Sequence, residues 1–172
     1  MNLLLAVFVV LLVLLLGIAA LALFISVFVG VPFVPTHQKQ ARHMVELAGI
    51  TPGMNVIDLG SGAGRLLFLS ARAGARTTGY ELNPFLYWWT KIEARLKGMS
   101  NVVDMKCQSL YDADVSKADV VLAFLFPEPM KRLGPKLFSE MKPGSKIVSY
   151  AFAIPNREPR IKEDGIYVYE VA

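Results

Sequence analysis

The sequence predicts an α/β domain, with helices on both faces of a mostly parallel β-sheet, preceded by one helix long enough to span a membrane. Three observations support this prediction. The first thirty or so residues are almost entirely apolar, and the rest of the chain alternates between strand-like and helix-like stretches. The first of these strands also runs directly into a glycine-rich turn. The length of 172 residues leaves room for one domain beyond the apolar segment.

The N-terminal segment from Leu3 to Val29 carries no charged side chain. A bilayer core of about 30 Å needs about 20 helical residues, and this segment exceeds that length. A secretory signal peptide would have a basic region before a shorter apolar core, and nothing basic precedes Leu3. We therefore predict a single transmembrane anchor over residues 1–30.

Basic residues follow the anchor at its C-terminal end, where Lys39, Arg42 and His43 lie. The positive-inside rule predicts a single-pass membrane protein with its C-terminal domain on the cytoplasmic side, or the matrix-equivalent side of an organelle. Residues 31–36 contain two prolines, which predict a short, rigid connector. The domain itself, residues 37–172, should then sit close to the membrane.

The elements of this domain follow from apolar periodicity and from turn residues. Alternating strands and helices predict a parallel, Rossmann-like sheet, which binds ligands beyond the carboxyl ends of its strands. An Asp-Gly turn before the last strand favours antiparallel pairing of that strand at a sheet edge. Helices are predicted over residues 37–47, 65–73, 84–97 and 129–141, and strands over residues 55–59, 77–81, 102–107, 119–124, 146–152 and 166–171.

The glycine turn after the first strand indicates which cofactor the domain binds. It reads Asp58-Leu59-Gly60-Ser61-Gly62-Ala63-Gly64, a G-x-G-x-G spacing instead of the G-x-G-x-x-G of dinucleotide sites. Asp58 would repel a pyrophosphate, but it would suit a cationic group such as the ammonium of a methionine moiety. The turn therefore favours S-adenosylmethionine (SAM) over a nicotinamide or flavin cofactor.

A second acid, Glu81, ends the second strand about twenty residues beyond the glycines, where a carboxylate can accept hydrogen bonds from both ribose hydroxyls. Asn83, followed by Pro84, is either the cap of the next helix or a cofactor ligand. A tight glycine turn without any ligand is the alternative. The combination of the turn, the strand before it, the helix after it and the second acid argues against that alternative.

With these residues in view, the chain resembles the class I, seven-strand SAM-dependent methyltransferases. It is most similar to the small membrane-anchored lysine methyltransferases of mitochondria that modify the c-ring protein of ATP synthase and the adenine nucleotide translocase, and to related prokaryotic enzymes. The resemblance covers nearly the whole chain and implies a protein lysine as the methyl acceptor. It rests on V-P-F-V-P-T at residues 31–36, D-L-G-S-G at 58–62 and G-Y-E-L-N-P at 79–84.

The resemblance also implies which residues bind the cofactor. Thr36, with Pro35, would close over the methionine end of SAM, and Glu81 would hold its ribose. The amino-acid portion of SAM would be lined by the residues of the turn, which are Asp58, Gly60, Ser61 and Gly62.

Three positions depart from the family pattern. The family usually has proline after the threonine and an acid after the second turn glycine, where this chain has His37 and Ala63. Near the adenine the family tends to carry Asp-Leu, where this chain has Ser109 followed by leucine. Ser109 can still make one hydrogen bond to the cofactor. The departures therefore bear more on the methyl acceptor than on the cofactor.

The stretch after the fourth strand, residues 124–129, lies where a substrate should enter. Phe126 could enclose an aliphatic lysine side chain, and Glu128 could orient its amine. The alternatives are that Phe124 and Phe126 belong to the core and that Glu128 is an ordinary first-turn acid of a helix. Methyl transfer needs mainly alignment and a free lone pair, which an apolar slot and a nearby sulfonium favour, so no dedicated base is required.

We therefore expect a SAM-dependent methyltransferase acting on a lysine of a membrane or membrane-proximal protein. One alternative is methylation of a lipid, a quinone or another small apolar substrate, and another is a SAM-binding module without catalysis. The net charge is +4, but no Lys/Arg run has interleaved aromatic residues, so no nucleic-acid partner is expected. The lone Cys107 excludes an internal disulfide, and His37 and His43 show no metal-binding arrangement.

Overall fold

The structure is a computed structural model that describes residues 3–28 and 36–172, with the side chains of the first helix described for residues 4–21. The chain divides into two units, Met1–Phe33 and Val34–Ala172. Of the predicted connector over residues 31–36, all but Thr36 lies outside the described residues.

The first unit contains helix α1, Leu3–Phe28, which has no acid in its first turn and no base in its last. Its 26 residues correspond to about 39 Å at the rise of an α-helix. The stretch Leu4–Leu21 has a mean hydropathy of 3.3, and none of it is buried. Helix α1 is thus long and apolar enough to cross a bilayer, a property that signal sequences share.

The second unit forms a seven-stranded sheet in the order β3-β2-β1-β4-β5-β7-β6. Strands β1 to β5 are parallel, and β7 is antiparallel to both of its neighbours. A short 3-10 turn, Leu110–Asp112, follows β3. The elements are α2 (Gln38–Ala48), β1 (Asn55–Leu59), α3 (Arg65–Arg72), β2 (Arg76–Tyr80), α4 (Pro84–Leu96), β3 (Val103–Lys106), β4 (Val120–Ala123), α5 (Pro127–Glu140), β5 (Lys146–Tyr150), β6 (Ile161–Glu163) and β7 (Ile166–Glu170).

The predicted α/β fold is confirmed, with two corrections near the C-terminus. Strand β6 was not predicted, because its three residues show no apolar alternation and depend on pairing with β7. The last strand does pair antiparallel, but it lies between β5 and β6 rather than at the edge. The Asp164-Gly165 turn joins these two strands as a hairpin, which places the short strand outermost. Cys107 follows β3 instead of ending it and is exposed.

Both faces of the sheet are buried, which explains the continuous apolar strands. One face packs on α2 and α3, where Met44 and Leu66 belong to a single core with Val56, Leu122 and Val148. On the other face, Phe138 of α5 packs edge-to-face against Tyr169 of β7, with ring centroids 6.1 Å apart. Strand order reverses between β1 and β4, so the cleft for a ligand opens beyond their carboxyl ends.

Candidate functional site

The glycine turn after β1 adopts a backbone conformation that side-chain-bearing residues rarely take. Gly60, Gly62 and Gly64 have φ values of 76°, 54° and 75°. A Cβ on Gly64 would lie 2.5 Å from Cγ2 of Thr90, and a Cβ on Gly60 would lie 3.0 Å from Cδ2 of Leu125. Glycine is therefore needed both for the path of the turn and for its close packing against α4 and the end of β4.

Hydrogen bonds fix this turn to β2 and to α4. The backbone amides of Gly60 and Ser61 both donate to the carbonyl oxygen of Tyr80, at 2.9 and 3.1 Å. The hydroxyl of Thr90 on α4 donates to the carbonyl oxygen of Gly62 at 3.2 Å. The buried Ser61 hydroxyl faces Met105 Sδ on β3, 3.8 Å away. Thr90 was not identified from the sequence, where a threonine inside a helix gives no sign of this contact.

Glu81 connects the turn to the start of α4. Its Oε2 accepts a hydrogen bond from the Gly62 amide at 2.9 Å, and its Oε1 accepts one from the Asn83 amide at 2.8 Å. Each carboxylate oxygen has a second lone pair, so both can still accept a hydrogen bond from a ligand hydroxyl. The two backbone bonds hold the carboxylate in a single orientation at the edge of the cleft.

Asp58 lies near the end of β1, in register with Gly79 on β2 and Leu122 on β4. Only 3% of this residue is exposed. Burial, followed by the negative charge of Glu81, raises the pKa of the Asp58 carboxyl to about 8. No hydrogen bond from the described part of the chain offsets this effect. A cationic group beside Asp58 would restore its ionised form, whereas a phosphate would add to the repulsion.

Asn83 caps helix α4, since its Oδ1 accepts hydrogen bonds from the amides of Phe85 and Leu86 at 2.9 and 3.4 Å. Ser109 has a similar position before the 3-10 turn, where its hydroxyl accepts from the Tyr111 amide at 3.3 Å. Both caps leave the side chains at the carboxyl edge of the sheet. Their contacts with a cofactor stay predictions.

Thr36 is buried, and its carbonyl oxygen accepts a hydrogen bond from the guanidinium of Arg65, the first residue of α3. This contact brings the start of the domain to the glycine turn. Sequence reasoning missed it, because 29 positions separate the two residues. Pro35, predicted to act with Thr36, lies outside the described residues.

Four aromatic rings lie beyond the ends of β4 and β5. Phe124 packs against Tyr150 with ring centroids 4.9 Å apart, and Phe126 packs against Phe152 at 5.9 Å. We call these four residues the aromatic cluster. Phe124 is half-buried, while 38% of Phe126 is exposed. Of the two alternatives for these rings, the core position therefore describes Phe124 better than Phe126.

The aromatic cluster lies at the same edge of the sheet as the glycine turn. Leu59 is in register with Ala123, so the turn and the residues after β4 leave adjacent strands at the same level. Leu125 packs next to Gly60. Glu128 is exposed in the first turn of α5, the position of an ordinary helix-start acid. The site thus joins two buried or half-buried carboxylates on one side to a partly exposed ring on the other.

Comparison with known proteins supports this description. The sequence model described as "ANTKMT methyltransferase domain" matches residues 58–161, more than half of the chain. The lysine N-methyltransferase of Homo sapiens named for the c-ring protein of ATP synthase is 30% identical over 139 residues, which cover 80% of this chain and 59% of that protein. The chain thus spans little more than half the length of the vertebrate proteins of this name that it matches.

Two further proteins match along almost their whole length. A protein-lysine N-methyltransferase of Saccharolobus islandicus is 32% identical, and the match covers 82% of this chain and 94% of that protein. The solved structure of an RNA methyltransferase from Salinibacter ruber, in complex with S-adenosyl-L-homocysteine, is 33% identical with a TM-score of 0.77, covering 80% and 94% of the two chains. The predicted resemblance is confirmed, and the chain belongs to the ANTKMT methyltransferase domain family.

Proposed function

We propose that this chain is a SAM-dependent methyltransferase that acts on a lysine of a membrane or membrane-proximal protein. The single observation that carries the cofactor assignment is the buried Asp58 beside the glycine turn, with no hydrogen bond from the described residues to offset its burial. The lysine assignment is supported by the names of the relatives, which are lysine methyltransferases of the ATP synthase c-ring protein and of the adenine nucleotide translocase.

Each part of SAM has a matching group in the cleft. The ammonium of its methionine moiety would pair with Asp58, which burial prepares for a cation. Its ribose hydroxyls would donate to the oxygens of Glu81, whose orientation the Gly62 and Asn83 amides fix. Ser109 would reach the adenine, and Thr36 with Pro35 would cover the methionine end. The turn residues Gly60, Ser61 and Gly62 would line the amino-acid portion.

The reaction requires a free lone pair on the lysine Nζ and a straight path to the methyl carbon. SAM supplies a methyl group on a sulfonium, so the N–C bond forms as the C–S bond breaks and the amine proton leaves to water. Deprotonating a lysine of ordinary pKa at pH 7 costs about 4 to 5 kcal/mol. An apolar slot beside the Phe126 ring would reduce this cost by desolvating the ammonium.

The exposed ring of Phe126 is the best candidate for contact with the lysine side chain. A ring face stabilises a cation by about 0.5 to 1 kcal/mol at an exposed site, and it also covers the aliphatic stem. Glu128 is close in the chain and could orient the amine, but its exposure in the first turn of α5 makes it the weaker candidate. No side chain is required as a general base.

The membrane location follows from α1. We propose that this helix spans the bilayer once and that the basic residues after it keep the catalytic domain on the cytoplasmic or matrix-equivalent side. The anchor would bring the domain close to lysines at the bilayer surface, so the lipid bilayer itself is a proposed partner.

A labelling experiment tests the proposed function. The full chain is reconstituted in membranes of its host and incubated with methyl-labelled SAM, and protein, lipid and RNA fractions are then separated. We expect the label in a protein band and in methylated lysine after acid hydrolysis. Label in the lipid extract would support the apolar-substrate alternative, and label in RNA, the substrate named for the Salinibacter ruber structure, would contradict the proposal.

Matched variants separate cofactor binding from catalysis. Asp58→Ala and Glu81→Ala should abolish SAM binding measured by calorimetry, because each removes a carboxylate that we place on the cofactor. Asp104→Ala and Glu140→Ala change exposed acids paired with lysines on the surface and should retain binding. Binding without any methyl transfer in the wild-type chain would favour the non-catalytic module.

A further inference from the structure

Helix α4 exposes a row of large apolar side chains. Phe85, Trp88, Trp89, Ile92 and Leu96 are between 53% and 83% exposed. Their spacing of three and four residues places all five on one face of the helix. We call this row the α4 stripe. Apolar side chains of a surface helix normally face the core, so this arrangement is the reverse of the usual one.

The opposite face of α4 is the one that packs on the domain. Thr90 and Ala94 are buried, and the hydroxyl of Thr90 holds the carbonyl of Gly62 in the glycine turn. Turning the helix to bury the stripe would break this contact and lift the helix from β3 and α3. The exposure of the stripe is therefore fixed by the cofactor site.

The stripe is also where exposed apolar surface is concentrated. Among the described residues outside α1, the other large apolar side chains that are exposed are Leu82, two residues before the helix, and Phe126 in the aromatic cluster. Contiguous apolar surface of this kind marks a site of interaction with a protein or a membrane.

Basic residues border the stripe on one side. The ammonium of Lys91 lies 5.4 and 5.7 Å from the ring centroids of Tyr87 and Trp88. Arg95 is exposed one turn further along the helix. The one acid of α4, Glu93, forms an ion pair with Lys97. The border therefore carries positive charge that suits an anionic surface and would repel the same border of a second copy.

We propose that the α4 stripe inserts into the interfacial region of an anionic lipid bilayer. Tryptophan prefers the level of the lipid headgroups, and Lys and Arg next to it pair with anionic lipids. This inference rests on the proposal that α1 holds the chain in a membrane, since that anchor keeps the stripe within reach of the lipid.

Docking of the stripe would also orient the active site. Helix α4 begins at Asn83, whose amide binds Glu81, so the first turn of the stripe lies beside the proposed ribose site. With Phe85 and Trp88 in the interface, the carboxyl edge of the sheet would lie at the level of the headgroups. The substrate class would then be restricted to lysines close to the bilayer surface.

The sequence provides its own probe, because Trp88 and Trp89 are the two tryptophans of the chain. The full chain is reconstituted in vesicles of phosphatidylcholine and phosphatidylglycerol, some of which contain phosphatidylcholine brominated on its acyl chains. We expect the brominated lipid to lower tryptophan emission at least twofold, and acrylamide in the buffer to have little effect. Emission that acrylamide quenches and brominated lipid does not would overturn the proposal. Rings shielded from both quenchers would also overturn it, in favour of a protein partner.

Charge variants test the anionic border. Lys91→Glu combined with Arg95→Glu should reduce quenching on anionic vesicles to the level seen on phosphatidylcholine alone. Lys117→Glu combined with Lys131→Glu makes the same change of charge at exposed positions outside α4 and should leave quenching unchanged. Equal effects of the two double variants would contradict a specific role for the border.

Flotation of the vesicles distinguishes the two proposals. A chain that fails to float with vesicles overturns the α1 anchor. A chain that floats while acrylamide reaches its tryptophans overturns the docking of the stripe alone, and the proposed methyltransferase activity stands in both cases.

Discussion

The two sides of the cleft are built differently. On the cofactor side, hydrogen bonds to Tyr80, Glu81 and Thr90 hold the glycine turn, and Asp58 is buried within the sheet. On the aromatic side, Phe126 is partly exposed and Glu128 is fully in solvent contact at the start of α5. The first side is fixed before a ligand arrives, and the second is formed largely by side chains that a substrate would have to order.

This difference matches what each side has to recognise. A cofactor is constant, so its site can be set in advance by backbone bonds, which keeps the ordering cost of binding low. A protein substrate brings its own surface, and an anchored enzyme can select it partly by location. Changes on the cofactor side should therefore have large effects on binding or folding, and changes on the aromatic side should have small ones.

The largest effect is expected for the pH dependence of SAM binding. The carboxyl of Asp58 has a pKa raised to about 8 by burial and by Glu81, and it must lose its proton to pair with a cationic ammonium. Affinity should therefore rise by up to about tenfold per pH unit between pH 6 and pH 8, roughly 100-fold in total, and then level off. Calorimetric titration of the full chain with SAM measures this slope.

Asp58→Asn cannot ionise, so its weak residual affinity should not vary with pH over this range. Asp104→Asn, at an exposed position on β3, is the matched control and should keep the slope. A wild-type affinity that is independent of pH would remove Asp58 from the ammonium site.

The next largest effect is expected when a methyl group is added to the turn. Gly64→Ala combines a positive φ with a Cβ only 2.5 Å from Thr90, so both backbone strain and overpacking oppose it. Together these cost about 2 to 4 kcal/mol of unfolding free energy. Denaturant unfolding of the full chain in detergent measures the loss.

Gly98→Ala is the control for this variant. Gly98 also has a positive φ, but nothing lies within 4 Å of its Cβ position, so only the backbone strain of about 1 kcal/mol should remain. Equal losses for the two variants would show that packing of the turn against α4 contributes nothing.

A third effect has the opposite sign, because the buried acid opposes folding when no ligand is bound. The pKa of Asp58 is about 8 in the folded chain, against 3.8 for an unperturbed carboxyl. The folded state therefore binds more protons than the unfolded state between these values, and stability falls as pH rises from about 4 to about 8. Asp58→Asn should be as stable as the wild type near pH 4 and have a Tm about 5 °C higher at pH 8. A lower Tm for Asp58→Asn at pH 8, measured without SAM, would contradict this reasoning.

The cofactor side was also the part that the sequence could predict. Glycine spacing, the acid two residues before it and the acid ending the next strand are local patterns, and each has a direct physical reason. The contacts of Thr90 and Arg65 could not be predicted, because they depend on how separate helices pack across 28 and 29 positions of the chain. Strand β6 was missed for a related reason, since only its partner makes it a strand.

The α4 stripe shows another limit of reasoning from sequence. Two adjacent tryptophans within a helical pattern predict packing of at least one of them, yet both are exposed. The period of apolar residues shows that they share a face, but it does not show which face meets the domain. That choice is made by Thr90 and Ala94, two small residues on the buried face that carry little weight in an apolar pattern.

The smallest effect is expected on the aromatic side. Phe126→Ala should raise the KM for the labelled membrane protein about fivefold, because loss of one partly exposed ring removes about 1 kcal/mol of contact with the lysine side chain. SAM affinity should stay unchanged, since Phe126 is not among the residues that we place on the cofactor. Glu128→Gln should change KM by about twofold or less, because an exposed first-turn carboxylate interacts weakly with a substrate in water. Initial rates at saturating SAM measure both variants. If Phe126→Ala weakened SAM binding as strongly as Asp58→Asn, the two sides of the cleft would be one cooperative site, and the contrast between a fixed side and an adaptable side would fail.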